Sequence, residues 1–121
     1  VWHYYGNQLD GGPIYHGVSS DNGLSFDRVD SIDLSVDGTR YFVGNGVPVE
    51  SGYRLYAYFR GSDKNGEIGS FFSKDGYNWE WEGTALKVTL DDLESNFVKD
   101  PAVIQLPDTS WIMIYPTDIP K

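Results

Sequence analysis

The chain lacks cysteine, long apolar runs and an excess of positive charge, and each absence excludes a class of site, segment or partner. With no cysteine among 121 residues, neither a disulfide framework nor a thiolate metal site can form. No apolar stretch approaches the length of a membrane span. Acidic side chains outnumber basic ones by 18 to 9, and the net charge of −9 repels phosphate backbones and anionic lipid. We therefore expect neither nucleic acid nor membrane among the partners.

What the chain does contain is a repeat. Two turns of the same chemistry, in segments 19–26 and 73–79, end in the aromatic residues Phe26 and Trp79, which lie 53 residues apart. Two further pairs share this spacing: Tyr5 with Tyr58, and Pro48 with Pro101. Periods of this size are typical of arrays in which one unit cannot bury its core alone.

The pattern of apolar residues predicts an all-β fold. Its 14 glycines and 6 prolines suit short strands joined by many turns. Each repeat reads as a β-propeller blade of four antiparallel strands, A to D from the inside outward, and the chain holds about two and a quarter repeats. Residues 1–39 are assigned to strands B-C-D of one blade, 40–90 to a complete blade and 91–121 to strands A-B of a third.

Individual strands follow from the same pattern. Segment 26–34 alternates apolar and polar residues, as a half-buried strand should. Segments 41–43 and 47–49 read as two separate strands, and only 89–96 has any helical character.

Both turns resemble the aspartate-box hairpins of sialidase-like propellers, which have the form Ser-x-Asp-x-Gly-x-Thr-Trp. Segment 98–115 is similar to the Asp-Pro blade start of five-bladed glycosidases, the arabinanase/xylosidase and invertase/levansucrase group. The chain departs from these patterns in that Phe26 replaces Trp, the second box is one residue short, and Thr109 stands where a turn glycine is usual. Aspartate boxes also occur in propellers that are not enzymes, so they indicate fold more than function.

The propeller geometry implied by this resemblance separates structural from chemical carboxylates. Asp21 and Asp75 lie in turns between strands C and D, away from the face that carries the active site. We expect both to hydrogen-bond their own turn backbones. Phe26 and Trp79 are expected to pack between blades.

Asp100 is the candidate catalytic residue. The resemblance implies that this carboxylate begins an inner strand and holds the substrate, where it stabilises an oxocarbenium-like transition state or tunes the general acid. In blade two the apolar Val47 stands there, so the repeat itself does not require an acid. The alternative is that Asp100 is a turn residue whose position before Pro101 favours an extended backbone.

Other candidates are weaker. Arg60 and Asp118 are expected on the same face as Asp100, where they could bind sugar hydroxyls, although a surface ion pair and a solvated loop carboxylate are the alternatives. His3 and His16 read as ordinary strand residues. No zinc spacing, phosphate loop or Ser/His/Asp order is present, so we expect no metal and no cofactor.

Three functions remain open at this stage. The first is a glycoside-hydrolase-like module in which two further carboxylates act as acid and base or nucleophile, while Asp100 orients the substrate or stabilises the transition state. The second is a lectin-like propeller that binds carbohydrate without cleaving it. The third is a scaffold whose blades bind protein. By resemblance, we expect an extracellular or periplasmic location.

So few repeats would not close a ring. A propeller needs about four blades or more, and incomplete ones expose inner faces and strand edges. We therefore expect that the chain is completed either by self-association or by the remainder of a longer propeller chain. It opens at Val1 rather than methionine, as an excised product would.

Overall fold

The computed structural model describes residues 2–6, for which the backbone alone is described, together with 14–59, 67–87 and 98–117. This part of the chain contains ten β-strands and no helix, which confirms the all-β prediction. It therefore offers no helix long and apolar enough to cross a membrane. The helical character expected in 89–96 lies outside the described residues.

The first sheet is an antiparallel meander of three strands in chain order: β1 (Trp2–Gly6), β2 (Ile14–Val18) and β3 (Asp27–Ile32). Strand β3 differs from the half-buried strand predicted over 26–34, because Ile32 is its only buried residue. Strand β3 is the last strand of this sheet, and its first five residues are exposed.

The middle sheet contains five antiparallel strands in chain order, and it is curled. They are β4 (Ser35–Val36), β5 (Thr39–Val49), β6 (Gly52–Phe59), β7 (Glu67–Ser73) and β8 (Glu80–Lys87). The two strands predicted over 41–43 and 47–49 are one continuous strand, β5. A bulge between Val43 and Asn45 interrupts its pairing at the place where the sequence predicts a break between two strands.

The terminal hairpin consists of β9 (Ala102–Gln105) and β10 (Trp111–Ile114). Its turn closes through a hydrogen bond from Thr109 N to Leu106 O at 2.9 Å. Thr109 has a left-handed φ of 71°, which explains why glycine is usual at this position. A single bridge between Val98 and Thr117 extends the pairing beyond the two strands.

Each face of the middle sheet contributes to a buried hydrophobic cluster. Leu55 and Ala57 of β6 point to one face, and Tyr56 and Tyr58 point to the other, as alternation in a strand requires. The first cluster joins the middle sheet to the first sheet and comprises Ile14, Ile32, Leu34, Tyr41, Leu55, Ala57 and Phe71. The second joins it to the segment that includes β9 and comprises Tyr56, Tyr58, Ile68, Val98 and Val103. The middle sheet is therefore covered on both sides.

Strands β5 and β9 meet at the bulge. A Cβ added to Gly44 would come within 2.5 Å of Pro101 Cδ and 2.7 Å of Tyr56 O, so only glycine leaves room for the proline ring. Next to it, Asn45 Oδ1 accepts a hydrogen bond of 2.8 Å from Val103 N. These two contacts fix the start of β9 against the middle sheet.

The close packing of Pro101 on Gly44 can be tested by adding one methyl group to Gly44. We expect Gly44→Ala to lower the free energy of unfolding by about 1–3 kcal/mol, because neither the proline ring nor the Tyr56 carbonyl can move away easily. The measurement is urea denaturation followed by circular dichroism.

Gly46→Ala is the matched control on the same strand. A Cβ at Gly46 would meet Leu55 Cδ1 at 3.6 Å, an ordinary contact, so its unfolding curve should stay close to that of the natural chain. Equal costs for the two substitutions would contradict the close packing of Pro101 on Gly44.

Candidate functional site

The turn between β2 and β3 is built around one carboxylate. Asp21 Oδ1 accepts hydrogen bonds from Ser25 N at 2.9 Å and from Ser19 Oγ at 2.7 Å, and Oδ2 accepts one from Ser25 Oγ at 2.5 Å. The left-handed φ angles of Asn22 and Gly23, 59° and 83°, reverse the chain. The hydrogen bonds from Ser25, and then that from Ser19, lower the pKa of Asp21 to about 2.

The turn between β7 and β8 repeats this chemistry. Asp75 Oδ1 accepts hydrogen bonds from Tyr77 N at 2.8 Å and from Asn78 N at 2.9 Å, and Oδ2 accepts one from Asn78 Nδ2 at 3.0 Å. The backbone hydrogen bonds from Asn78 and Tyr77 hold the pKa of Asp75 well below its usual value. Asp21 and Asp75 thus both bind their own turns.

The aromatic residues that close the two turns differ in environment. Trp79 is half-buried and packs against the core cluster shared by the first and middle sheets. Phe26 is 40% exposed and lies beside Gly17 of its own sheet. The chain therefore buries the residue that matches the aspartate-box pattern more fully than the one that departs from it.

The two turn carboxylates make stability depend on pH in the acid range. Both folded-state pKa values are lowered, so the unfolded chain binds more protons as pH falls below the ordinary value of 3.8. We expect the urea midpoint to be constant between about pH 7 and 5 and to fall between about pH 4 and 2. The double variant Asp21→Asn, Asp75→Asn should have a lower midpoint at pH 7 and a shallower decline. A wild-type midpoint that did not change down to pH 2 would contradict the assignment.

Asp100 is exposed, and its backbone is left-handed, with φ of 44°. The expectation that Pro101 gives this residue an extended backbone is therefore wrong. Strand β9 begins only at Ala102. Its neighbours are anchored: Val98 is fully buried, Pro101 is buried on Gly44, and Lys99 N donates to Pro116 O at 3.3 Å. Because both flanks are fixed, the Asp100 carboxylate is presented to solvent from a constrained backbone.

The remaining candidates from the sequence add no described contact to this position. Arg60 and Asp118 lie outside the described residues, as does the side chain of His3. His16 is buried, with Nδ1 2.8 Å from Asp30 Oδ1 and its ring edge-on to Tyr77 at 4.9 Å. Within the described ranges, no three His, Asp or Glu side chains gather as a metal site would require.

A cleft that the sequence did not predict opens between the middle sheet and the terminal hairpin. Its volume is about 750 Å³. The walls include Glu50, Arg54, Phe72 and Glu82 from the middle sheet and Gln105 and Trp111 from the hairpin. We call this the inter-sheet cleft. Gln105 ends β9 and Asp100 precedes it, so the cleft and Asp100 lie at opposite ends of the strand.

The polar wall of the cleft is a closed ion pair. Arg54 Nε lies 2.7 Å from Glu82 Oε2 and Nη2 lies 3.0 Å from Oε1, and Ser70 Oγ donates to the same carboxylate. These contacts raise the pKa of Arg54 and lower that of Glu82. Arg54 is on β6 and Glu82 on β8, two strands apart, so only the register of the sheet could have revealed the pair.

Comparison with known proteins leaves the site to be argued from its own residues. No family model matches the chain, and no curated protein matches it either. The candidate features of the described residues are therefore Asp100, the inter-sheet cleft and the arrangement of the three sheets.

Proposed function

We propose that the chain is part of a sialidase-like or five-bladed-glycosidase-like β-propeller that recognises carbohydrate. The order of the sheets supports this proposal. If β5 to β8 are strands A-B-C-D of one blade, then β1 to β3 are B-C-D of the preceding blade and β9 and β10 are A-B of the next. The two aspartate-box turns then join equivalent strands, β2 to β3 and β7 to β8. The packing of the middle sheet on both faces also suits a stack of blades.

The observation that carries the functional part of the proposal is the conformation of Asp100. A left-handed backbone is costly for a residue other than glycine, although Asp tolerates it better than most, and such positions are concentrated at functional sites. Its exposed carboxylate, held between the buried Val98 and Pro101, is suited to contact sugar hydroxyls or to stabilise positive charge in a glycosidic transition state.

A non-catalytic, lectin-like propeller is the second candidate. A glycosidase needs two carboxylates about 5–10 Å apart around the bond that breaks. Asp21 and Asp75 do not supply them, because their oxygen atoms accept hydrogen bonds from their own turns. Binding of an oligosaccharide without release of new reducing ends would identify this second function.

Two substitutions of Asp100 test its role. Asp100→Asn keeps the size of the side chain and its tolerance of a left-handed backbone, and we expect carbohydrate binding or turnover to fall at least about tenfold. Asp100→Gly should lose function equally while its melting temperature stays equal or rises, because glycine adopts this φ without strain. Arabinan, xylan and levan oligosaccharides are the ligands, with calorimetry and reducing-end assays as readouts.

Asp108→Asn is the control, because this acid accepts its hydrogen bonds from Ser110 within the β9–β10 turn. It should leave binding and turnover unchanged. Asp100→Asn indistinguishable from the natural chain in both readouts would remove Asp100 from the site.

A further inference from the structure

We infer that the inter-sheet cleft is a second carbohydrate site, separate from Asp100, that binds the ring of a neutral sugar. The inference rests on the proposed function for its ligand class. Its location, and its preference for an uncharged ring, come from the cleft itself. A volume of about 750 Å³ is within the range of small-ligand sites, about 300–1,000 Å³.

The cleft lies between two hydrogen-bonded strand pairs, β9 with β10 and β6 with β7. Trp111 and Gln105 are directly paired across the terminal hairpin, and Arg54 and Phe72 are directly paired across β6 and β7. Each wall therefore supplies one aromatic ring and one polar side chain from a hydrogen-bonded strand pair. Sites built on strands hold their side chains more precisely than sites built on loops.

Trp111 is the apolar platform. Trp111 and Met113 are two residues apart on β10 and so share one face of the strand. Met113 packs against the core between the hairpin and the middle sheet. Trp111 nevertheless remains 41% exposed, because the cleft opens at its position. A flat indole in a concave site suits the C–H face of a sugar ring, which is apolar, while the ring hydroxyls point to the side.

The ion pair supplies fixed polar contacts for those hydroxyls. Glu82 occupies two of the five N–H donors of Arg54, and the two side chains keep 33% and 30% exposure respectively. Ser70 holds Glu82 in place through a hydrogen bond from its hydroxyl to Glu82 Oε2. A hydroxyl group, which both donates and accepts, can bond to the guanidinium and to the carboxylate at once.

Charge decides between neutral and anionic ligands. The charge of Arg54 is matched by Glu82, and Glu50, a second acidic residue, also lines the cleft. An anionic sugar would meet two carboxylates for one guanidinium. We therefore assign the cleft to uncharged sugars.

The cleft is too far from Asp100 to share one sugar ring with it. Asp100 precedes β9, and the extended chain from Ala102 to Gln105 alone spans three residue steps, about 10 Å at 3.3 Å per residue. Substitutions at the two positions should therefore act on different binding events.

The test uses the indole N–H signals in ¹⁵N NMR spectra of the whole chain. Xylohexaose, arabinohexaose, cellohexaose and fructohexaose are the neutral probes, and hexagalacturonate is the anionic one. We expect at least one neutral probe to shift the Trp111 signal saturably below about 10 mM, with the signals of Trp79 and Trp81 unchanged. The Trp111 signal is assigned by its loss in Trp111→Ala.

Calorimetry on variants then measures the contribution of each wall. Trp111→Ala should weaken the neutral ligand at least about tenfold. Ile112→Ala is the matched control, because Ile112 is the next residue on β10, is 40% exposed and does not line the cleft. Glu82→Gln should weaken the neutral ligand and strengthen hexagalacturonate, since it leaves the charge of Arg54 unmatched.

The two proposals fail separately. Loss of the Trp111 shift in Asp100→Asn would show a single site and overturn this inference while supporting the role of Asp100. No saturable Trp111 shift with any neutral probe, or equal affinity in Trp111→Ala, would overturn it as well. If Asp100→Asn leaves binding at Trp111 intact, the inference of a second site is supported, whether or not Asp100 itself contributes to carbohydrate binding.

Discussion

The centre of strand β6, residues 55–58, is buried on both of its faces, and the other sheets are arranged around this constraint. Leu55 and Ala57 are fully buried on one side, while Tyr58 and Tyr56 keep only 3% and 9% exposure on the other. Because neighbouring residues in a strand point to opposite faces, one covering sheet could not bury all four. Burying a large apolar side chain is worth about 1.5–3 kcal/mol, so both covering layers are strongly favoured. The first sheet supplies one layer and the segment around β9 supplies the other.

The contact between that second layer and the middle sheet determines the positions of both candidate sites. The contact of Pro101 with Gly44 and the hydrogen bond from Val103 N to Asn45 fix β9 along β5. At the start of β9 this fixed contact presents Asp100 in a left-handed conformation. At its far end the layers part and the inter-sheet cleft opens. A packing requirement of the core therefore positions the two candidate sites at either end of one short strand.

Local features were predictable from the sequence, and features that depend on register were not. The all-β class and the two Asp-centred turns follow from glycine, Asx and serine chemistry within a few residues. The conformation of Asp100 did not follow, because the local rule for residues before proline was overridden when Pro101 packed on a distant glycine. The ion pair of Arg54 with Glu82 was equally hidden, since it joins two strands that are not neighbours.

Chemical modification of tyrosine tests the two-sided burial of β6 most directly. Tetranitromethane nitrates accessible tyrosines, and peptide mass spectrometry reports the extent at each position. Tyr53, on the same strand and 36% exposed, and Tyr77, 43% exposed, are internal references for the reactive state. The account predicts that both are nitrated while Tyr58 and Tyr56 are protected until the chain is unfolded in urea. Nitration of Tyr58 in the folded chain as fast as that of Tyr53 would mean that no second layer covers the middle sheet, and it would contradict the account.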